Sequence, residues 1–223
     1  MDVIKMLKPI AEQNAIGVRD VFDDVVGLLY NRICADSLDY RSVYMSVSYD
    51  TDSLVSYERY GQSGAAALIK PAVQLVEIMK GTELFCDALT DIYGHLLSGE
   101  RGQFMTPAKL ASAAAAFMQP QESAAGRLEC TEPTCGTGAL VLAHLQSIYR
   151  AGGKQAVGHV HYRINDIDIR LARVAMLQIM FHSIHHECPL AEIMVFCGDT
   201  IKNYNSGRRI FRARINDVQN VIV

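Results

Sequence analysis

Between Leu128 and Cys197 short strand-like runs alternate with helical periods, and that alternation restricts the fold more than any other feature of the sequence. Leu128–Glu132, His159–Asn165 and Ile193–Cys197 read as strands; Gly138–Arg150 and Asp168–Ile184 read as the helices between them. A β-α-β-α-β order predicts a parallel sheet with the helices as crossovers. The helix over 168–184 carries two apolar stripes. Val174, Leu177, Phe181 and Ile184 form one, and Ala172, Met176 and Met180 form the other. A helix apolar on two faces is expected between two layers.

Residues 1–98 read differently, as a helical N-terminal domain. Val18–Cys34 places Val18, Phe22, Val25, Val26, Leu29 and Ile33 on one face. Ala65–Met79 and Leu84–Leu97 read as two more helices, separated by Gly81 as a C-cap and Thr82 as an N-cap. Tyr40–Tyr60 mixes Tyr, Ser, Val and Asp without a clear period and stays open between strand and loop. The change of character falls at Ser98–Gly102, so residues 99–223 form the second, α/β domain.

The chemistry concentrates where strands end. Glu132-Pro133-Thr134-Cys135-Gly136-Thr137-Gly138 follows a strand and opens a helix. Two glycines permit a sharp turn and close approach to a ligand, and a helix start offers free N–H groups. In isolation such a turn is also an ordinary strand-to-helix connection. Asp166 ends the second strand, where a carboxylate can accept ribose hydroxyls; Asp199 ends the third, within Gly198-Asp199-Thr200. Asp168 is the expected N-cap of the following helix. All three strand ends face the carboxyl edge of a parallel sheet, where ligands bind. Upstream, Gly102-Gln103-Phe104-Met105-Thr106-Pro107 reads as a helix start with Thr106 as N-cap and Pro107 as N1.

These four elements, in this order, resemble the adenine-N6 DNA methyltransferases of the type I restriction-modification M-subunit group, including phage- and plasmid-borne relatives. Gly102–Pro107 resembles that family's Gly-Gln-Phe-Phe/Tyr-Thr-Pro element, and Glu132–Gly138 its S-adenosylmethionine loop. The stretches from Asn165 and from Gly198 resemble its second- and third-strand elements, so the likeness covers about Leu84 to Ile201. The resemblance implies a truncated Rossmann-like S-adenosylmethionine-binding methyltransferase domain behind the helical one. It implies that Thr106, Glu132 and the backbone of Cys135, Gly136 and Gly138 hold the methionine part of the cofactor, with Pro133 also cofactor-binding, Asp166 holding the ribose and Asp199 the adenine amino group. One element is missing. The family's catalytic Asn/Asp/Ser-Pro-Pro-Tyr/Phe follows the third-strand element, and nothing after Asp199 has it; Asn216 is followed by Asp217 and Val218. The expectation is a methyltransferase-like protein weak or inactive alone. The alternatives are a non-catalytic cofactor-binding subunit of a modification, restriction or anti-restriction system, and a structural module whose motifs are relics.

The rest bounds partners. Net charge is −3, so any surface for nucleic acid must be local. Lys202, Arg208, Arg209, Arg212 and Arg214 form a basic stretch, suited to phosphates or, equally, to solvent or acid pairing. DNA, bound weakly by the chain alone, and a second copy or partner subunit are the expected partners. A bare three-stranded edge invites pairing, so Arg209–Ile215 or Val218–Val223 is expected to add a strand, or a subunit to cover it. His182, His185, His186, Cys188 and Cys197 have ligand chemistry but no standard zinc spacing, and no metal is expected. Six cysteines without a Cys-x-x-Cys pair, no secretory signal and no apolar run long enough to span a membrane lead to the expectation of a cytoplasmic protein with free thiols.

Overall fold

The computed structural model describes residues 3–35, 44, 46–96, 105–118, 121–122, 126–202 and 207–215. They form a mixed α/β structure around a six-stranded sheet. The strands are β1 (Ser46–Tyr49), β2 (Gln121–Glu122), β3 (Leu128–Glu132), β4 (Val160–Asp166), β5 (Glu192–Cys197) and β6 (Arg208–Arg214). Their spatial order is β1-β6-β5-β4-β3-β2. As the alternation predicts, β3, β4 and β5 are parallel. The expected C-terminal strand is β6, which runs antiparallel beside β5 and is itself covered by β1. Val218–Val223 lies outside the described residues.

The helices are α1 (Val3–Asn14), α2 (Val18–Ala35), α3 (Ala66–Lys80), α4 (Thr90–Leu96), α5 (Ala108–Ala115), α6 (Ala139–Val157) and α7 (Ile169–His185). From Leu171 to Met180 only Arg173 escapes full burial, because α7 touches β4 and β5 on one side and α2 and α3 on the other. The sandwiched helix is thus as its two stripes predict. Asp168 caps it, its carboxylate accepting from Arg170 N at 3.0 Å. Helix α6 continues past the expected Arg150 across a break at Gly152 and Gly153.

Residues 1–98 also contribute to the sheet, through β1, and one apolar cluster runs from Val3 in α1 to Ala213 in β6. The boundary expected at 98 lies outside the described residues. Two local expectations are corrected. Leu84–Leu97 is not one helix: helical structure starts only at Thr90. The amides of Ala88 and Leu89 donate to Gln178 Oε1 at 2.9 and 3.1 Å, and those of Leu89 and Thr90 donate to Asp87 Oδ1. Side chains have taken the N–H groups that a helix would need, and tertiary bonding overrides propensity. At α5 the N-cap is Pro107, whose carbonyl accepts from Ala111 N, with no side-chain cap; Thr106 stands one residue before it.

The two sheet faces differ. Cys130, Tyr162, Ile164, Ile193, Val195, Phe211 and Ala213 point to one side and are buried. The helices meet that side: His144 of α6 lies on Tyr162, and Tyr30 of α2 on Phe211. The alternate residues, including His161, Arg163, Met194, Phe196 and Arg212, point to the other side.

Candidate functional site

The glycine turn sits at the carboxyl edge of β3 and is held from four directions. Glu132 accepts from Thr134 N (3.0 Å) and Thr134 Oγ1 (3.2 Å), closing the first bend. Cys135 N donates to Asn165 O at 2.7 Å, tying the turn to β4. Gly136 N donates to Asp166 Oδ2 at 2.8 Å, while Asp168 N donates to Asp166 Oδ1 at 2.9 Å. The fourth direction is α7: Gln178 Nε2 donates to Thr137 O at 3.0 Å. Thr137 Oγ1 also lies 2.6 Å from Thr90 Oγ1, so α4 touches the turn as well.

Both glycines are needed. Gly136 has φ +54° and open space where a Cβ would project; Gly138 has φ +98°, and a Cβ there would sit 3.1 Å from the Ala175 backbone. Gly138 is the N-cap of α6 and, lacking a side chain, leaves the first-turn N–H groups without a side-chain acceptor. The result is an uncapped helix start facing an open cradle, the electrostatic arrangement that favours an anionic group.

A hollow of about 210 Å³ opens there. Met105 and Thr106 form one wall, Glu132 and Thr134–Thr137 the floor, and Ala139 and Leu140 the end. Of the expected residues, Thr106, Glu132, Cys135 and Gly136 line it directly. Gly138 stands behind it as the cap of α6. Pro133 lines a neighbouring hollow of about 200 Å³ on the other side of Glu132. Asp166 is 7% exposed and reaches the turn through Gly136 N. Asp199 does not line either hollow; its carboxylate accepts from Ile201 N and Lys202 N and pairs with Lys202 at 3.7 Å.

Burial pushes the Asp166 carboxyl above its ordinary range, against the pull of the Asp168 and Gly136 amides. Asp168 goes the other way: burial raises it, but Arg170 and its helix amide, with Arg19 beyond, bring the carboxyl below its ordinary value. Burial and the carboxylates of Asp166 and Glu132 push the Cys135 thiol up, which favours its protonated form over the thiolate.

The basic stretch is divided. Arg208 pairs with Asp50 and Asp52, Arg212 with Glu192, and Lys202 with Asp199. Arg209 lines a shallow hollow with Ser48, Tyr49 and Asp50, and Arg214 is half-buried at the end of β6. Among the described residues no three His, Cys, Asp or Glu side chains are grouped to hold a metal, and no described helix is long and apolar enough to cross a membrane.

Three residues at the site escape the sequence argument. Thr90 has no local signature. Gln178 has one: it is a lone amide in an otherwise apolar part of α7, which calls for buried polar partners. Ile167, between the two acids, is 69% exposed although β-branched and apolar.

No protein-family model matches the chain, and no curated protein matches it. Among solved structures the chain is similar to the type I restriction-modification system methyltransferase subunit from Streptococcus thermophilus, at 20% identity and a TM-score of 0.40. The likeness covers 71% of this chain and 32% of that one, so the chain spans about a third of that subunit.

Proposed function

We propose that the chain binds S-adenosylmethionine at the glycine turn, as a Rossmann-like protein of the DNA adenine-N6 methyltransferase type, and that these 223 residues do not methylate DNA by themselves. The observation that carries the reading is the meeting of Thr106, Glu132, Cys135 and Gly136 in one hollow above the uncapped start of α6.

The residues fit the ligand chemically. The open N–H groups of α6 suit the carboxylate of an amino acid, and Glu132 suits its ammonium group. Asp166 already accepts from the amides of Gly136, Asp168 and Ile167, and ribose hydroxyls would use the lone pair that remains. The exposed Ile167 offers an apolar surface for a flat base, with Asp199 for its amino group. When bound, the cofactor supplies an electrophilic methyl group. The chain's own residues bind and orient it.

Methylation also needs the adenine N6 to be held, because its lone pair is delocalised into the ring. Positioning of this kind is worth about 7–11 kcal/mol of barrier. The Pro-Pro-aromatic element that would supply it in the family does not occur in these residues. That observation favours a second reading, a non-catalytic cofactor-binding subunit of a modification, restriction or anti-restriction system, with DNA, a second copy or another subunit as partner.

Calorimetric titration with S-adenosylmethionine tests the first part. Binding is expected, weakened roughly ten- to a hundredfold by Asp166→Ala and little changed by Asp168→Ala. No binding by the unaltered protein would overturn the reading. Transfer of labelled methyl groups to DNA tests the second part, with Asp199→Ala as the control for contaminating methylases. Robust transfer abolished by that substitution would show that the chain is a complete enzyme.

A further inference from the structure

The face of the sheet turned away from the helices carries a pattern of its own. The strand register places Thr131, Arg163, Met194, Arg212 and Ser48 in one row across β3, β4, β5, β6 and β1. A second row, toward the amino edge of β4, is Glu129, His161, Glu192, Arg214 and Ser46. A third, toward the carboxyl edge, is Asn165, Phe196 and Arg209. At about 4.8 Å between strands, five strands present a surface about 19 Å across.

Two properties of this surface point to one occupant. The first is charge. Glu192 is shared by Arg212 and His161, the latter at 3.4 Å. That leaves Arg163, Arg209 and Arg214 against Glu129, with Glu132 on the hollow that Arg163 lines and Asp50 beside Arg209, on a chain whose net charge is −3. Among the described residues no carboxylate lies within ion-pair distance of Arg163. The second is an aromatic platform. The Arg163 guanidinium stands 4.8 Å from the centre of the Phe196 ring, and both line the hollow of about 200 Å³ beside Asn165 and Thr200. An aromatic ring and a guanidinium plane on an open sheet are what unpaired bases stack on, and the flanking arginines suit the phosphates between them.

We propose that this face binds single-stranded nucleic acid, with one base stacked at Phe196 and Arg163 and the backbone running over Arg209 and Arg214. A duplex keeps its bases stacked on each other and cannot offer one to the ring. The hollow borders the glycine turn through Glu132 and Pro133, but the stacking pair, Phe196 and Arg163, does not line the hollow at the start of α6.

The test is fluorescence anisotropy of a labelled twelve-nucleotide oligo-dT with the whole chain, over a series of salt concentrations. Binding that weakens with salt and exceeds that of a duplex of equal length is expected. Phe196→Ala and Arg163→Ala should each weaken it by about tenfold, with urea unfolding confirming that both variants fold. Lys8→Ala, an exposed residue of α1, should leave it unchanged. No binding by the unaltered chain, or full affinity in both variants, would overturn the proposal. So would sedimentation showing a dimer that Phe196→Ala dissociates, which would assign the face to a second copy. Titration with S-adenosylmethionine in parallel separates the two readings, since either can fail while the other holds.

Discussion

The two faces of the sheet are built from the same strands and differ in what their side chains are for. Phe211 and Phe196 sit on paired strands, fifteen residues apart, on opposite faces. Phe211 is fully buried and its ring centre lies 6.4 Å from that of Tyr30. Phe196 is half-buried, with a guanidinium over its ring. On the first face a side chain earns its place by excluded water and close packing. On the second, burial contributes little, and what a residue presents to solvent matters more. A period of two along a strand is enough to separate these roles.

The largest expected effect tests that contrast directly. Phe211→Ala should destabilise the fold by about 3–5 kcal/mol through the cavity it leaves, and Phe196→Ala by less than about 1 kcal/mol. Urea unfolding of both variants measures the difference; equal losses would break the comparison by showing that the second face is packed too.

Next comes a buried histidine on the helix-covered side. His182 of α7 donates through Nε2 to Cys86 O at 2.8 Å, and its buried Nδ1 has no hydrogen-bond partner among the described residues. Burial, with the neighbouring His186 and His185, brings its pKa down to about 4, against the pull of the Cys86 carbonyl. In the unfolded chain the ring titrates near 6.5, so there the proton binds first as pH falls. Stability from this group is therefore complete above about pH 6.5 and is lost between there and about pH 4, by roughly 3 kcal/mol. His182→Gln keeps a donor for Cys86 and cannot titrate. The slope of unfolding free energy against pH should be correspondingly flatter in the variant; identical slopes would show that His182 is not the group responsible.

Smaller again is Gln178→Leu. It leaves the Ala88 amide and the Thr137 carbonyl without their partner and the Leu89 amide with Asp87 alone, at about 2 kcal/mol of stability. Its second consequence sharpens the prediction: affinity for S-adenosylmethionine should fall by more than in a core variant of equal stability loss, because Thr137 belongs to the turn. The smallest effect belongs to the open face. Arg212→Met should change stability by no more than about 1 kcal/mol in low salt, and less in high salt, as a partly exposed ion pair does.

Much of this arrangement is legible in the sequence, and the limits have physical causes. The three parallel strands and the sandwiched α7 follow from apolar runs and stripes long enough to have one reading. Asp168 could be assigned as a cap because capping is local chemistry. The segment at Leu84–Leu89 misled because its apolar spacing suits a helix, while the bonds that decide its shape come from Gln178, ninety residues away in sequence from Ala88. Strand β1 is short and carries mostly exposed residues, so no pattern of burial marks it. At the site, the glycine turn was evident from residue types alone. That Asp166 ties down Gly136, and that Asp199 turns to its own backbone, depend on where β4 and β5 end relative to β3.

Gln178 links two stretches that are far apart in sequence: the turn at Thr137 and the segment entering α4. Opening either one requires breaking bonds to the same carboxamide. Their local fluctuations are thus shared, and a ligand that quiets the turn must also quiet the segment before Thr90. Amide hydrogens of Ala88 and Leu89 should exchange more slowly when the turn is occupied, although neither residue lines the hollow. Occupancy of the site would then be readable, by exchange alone, from the other side of a helix.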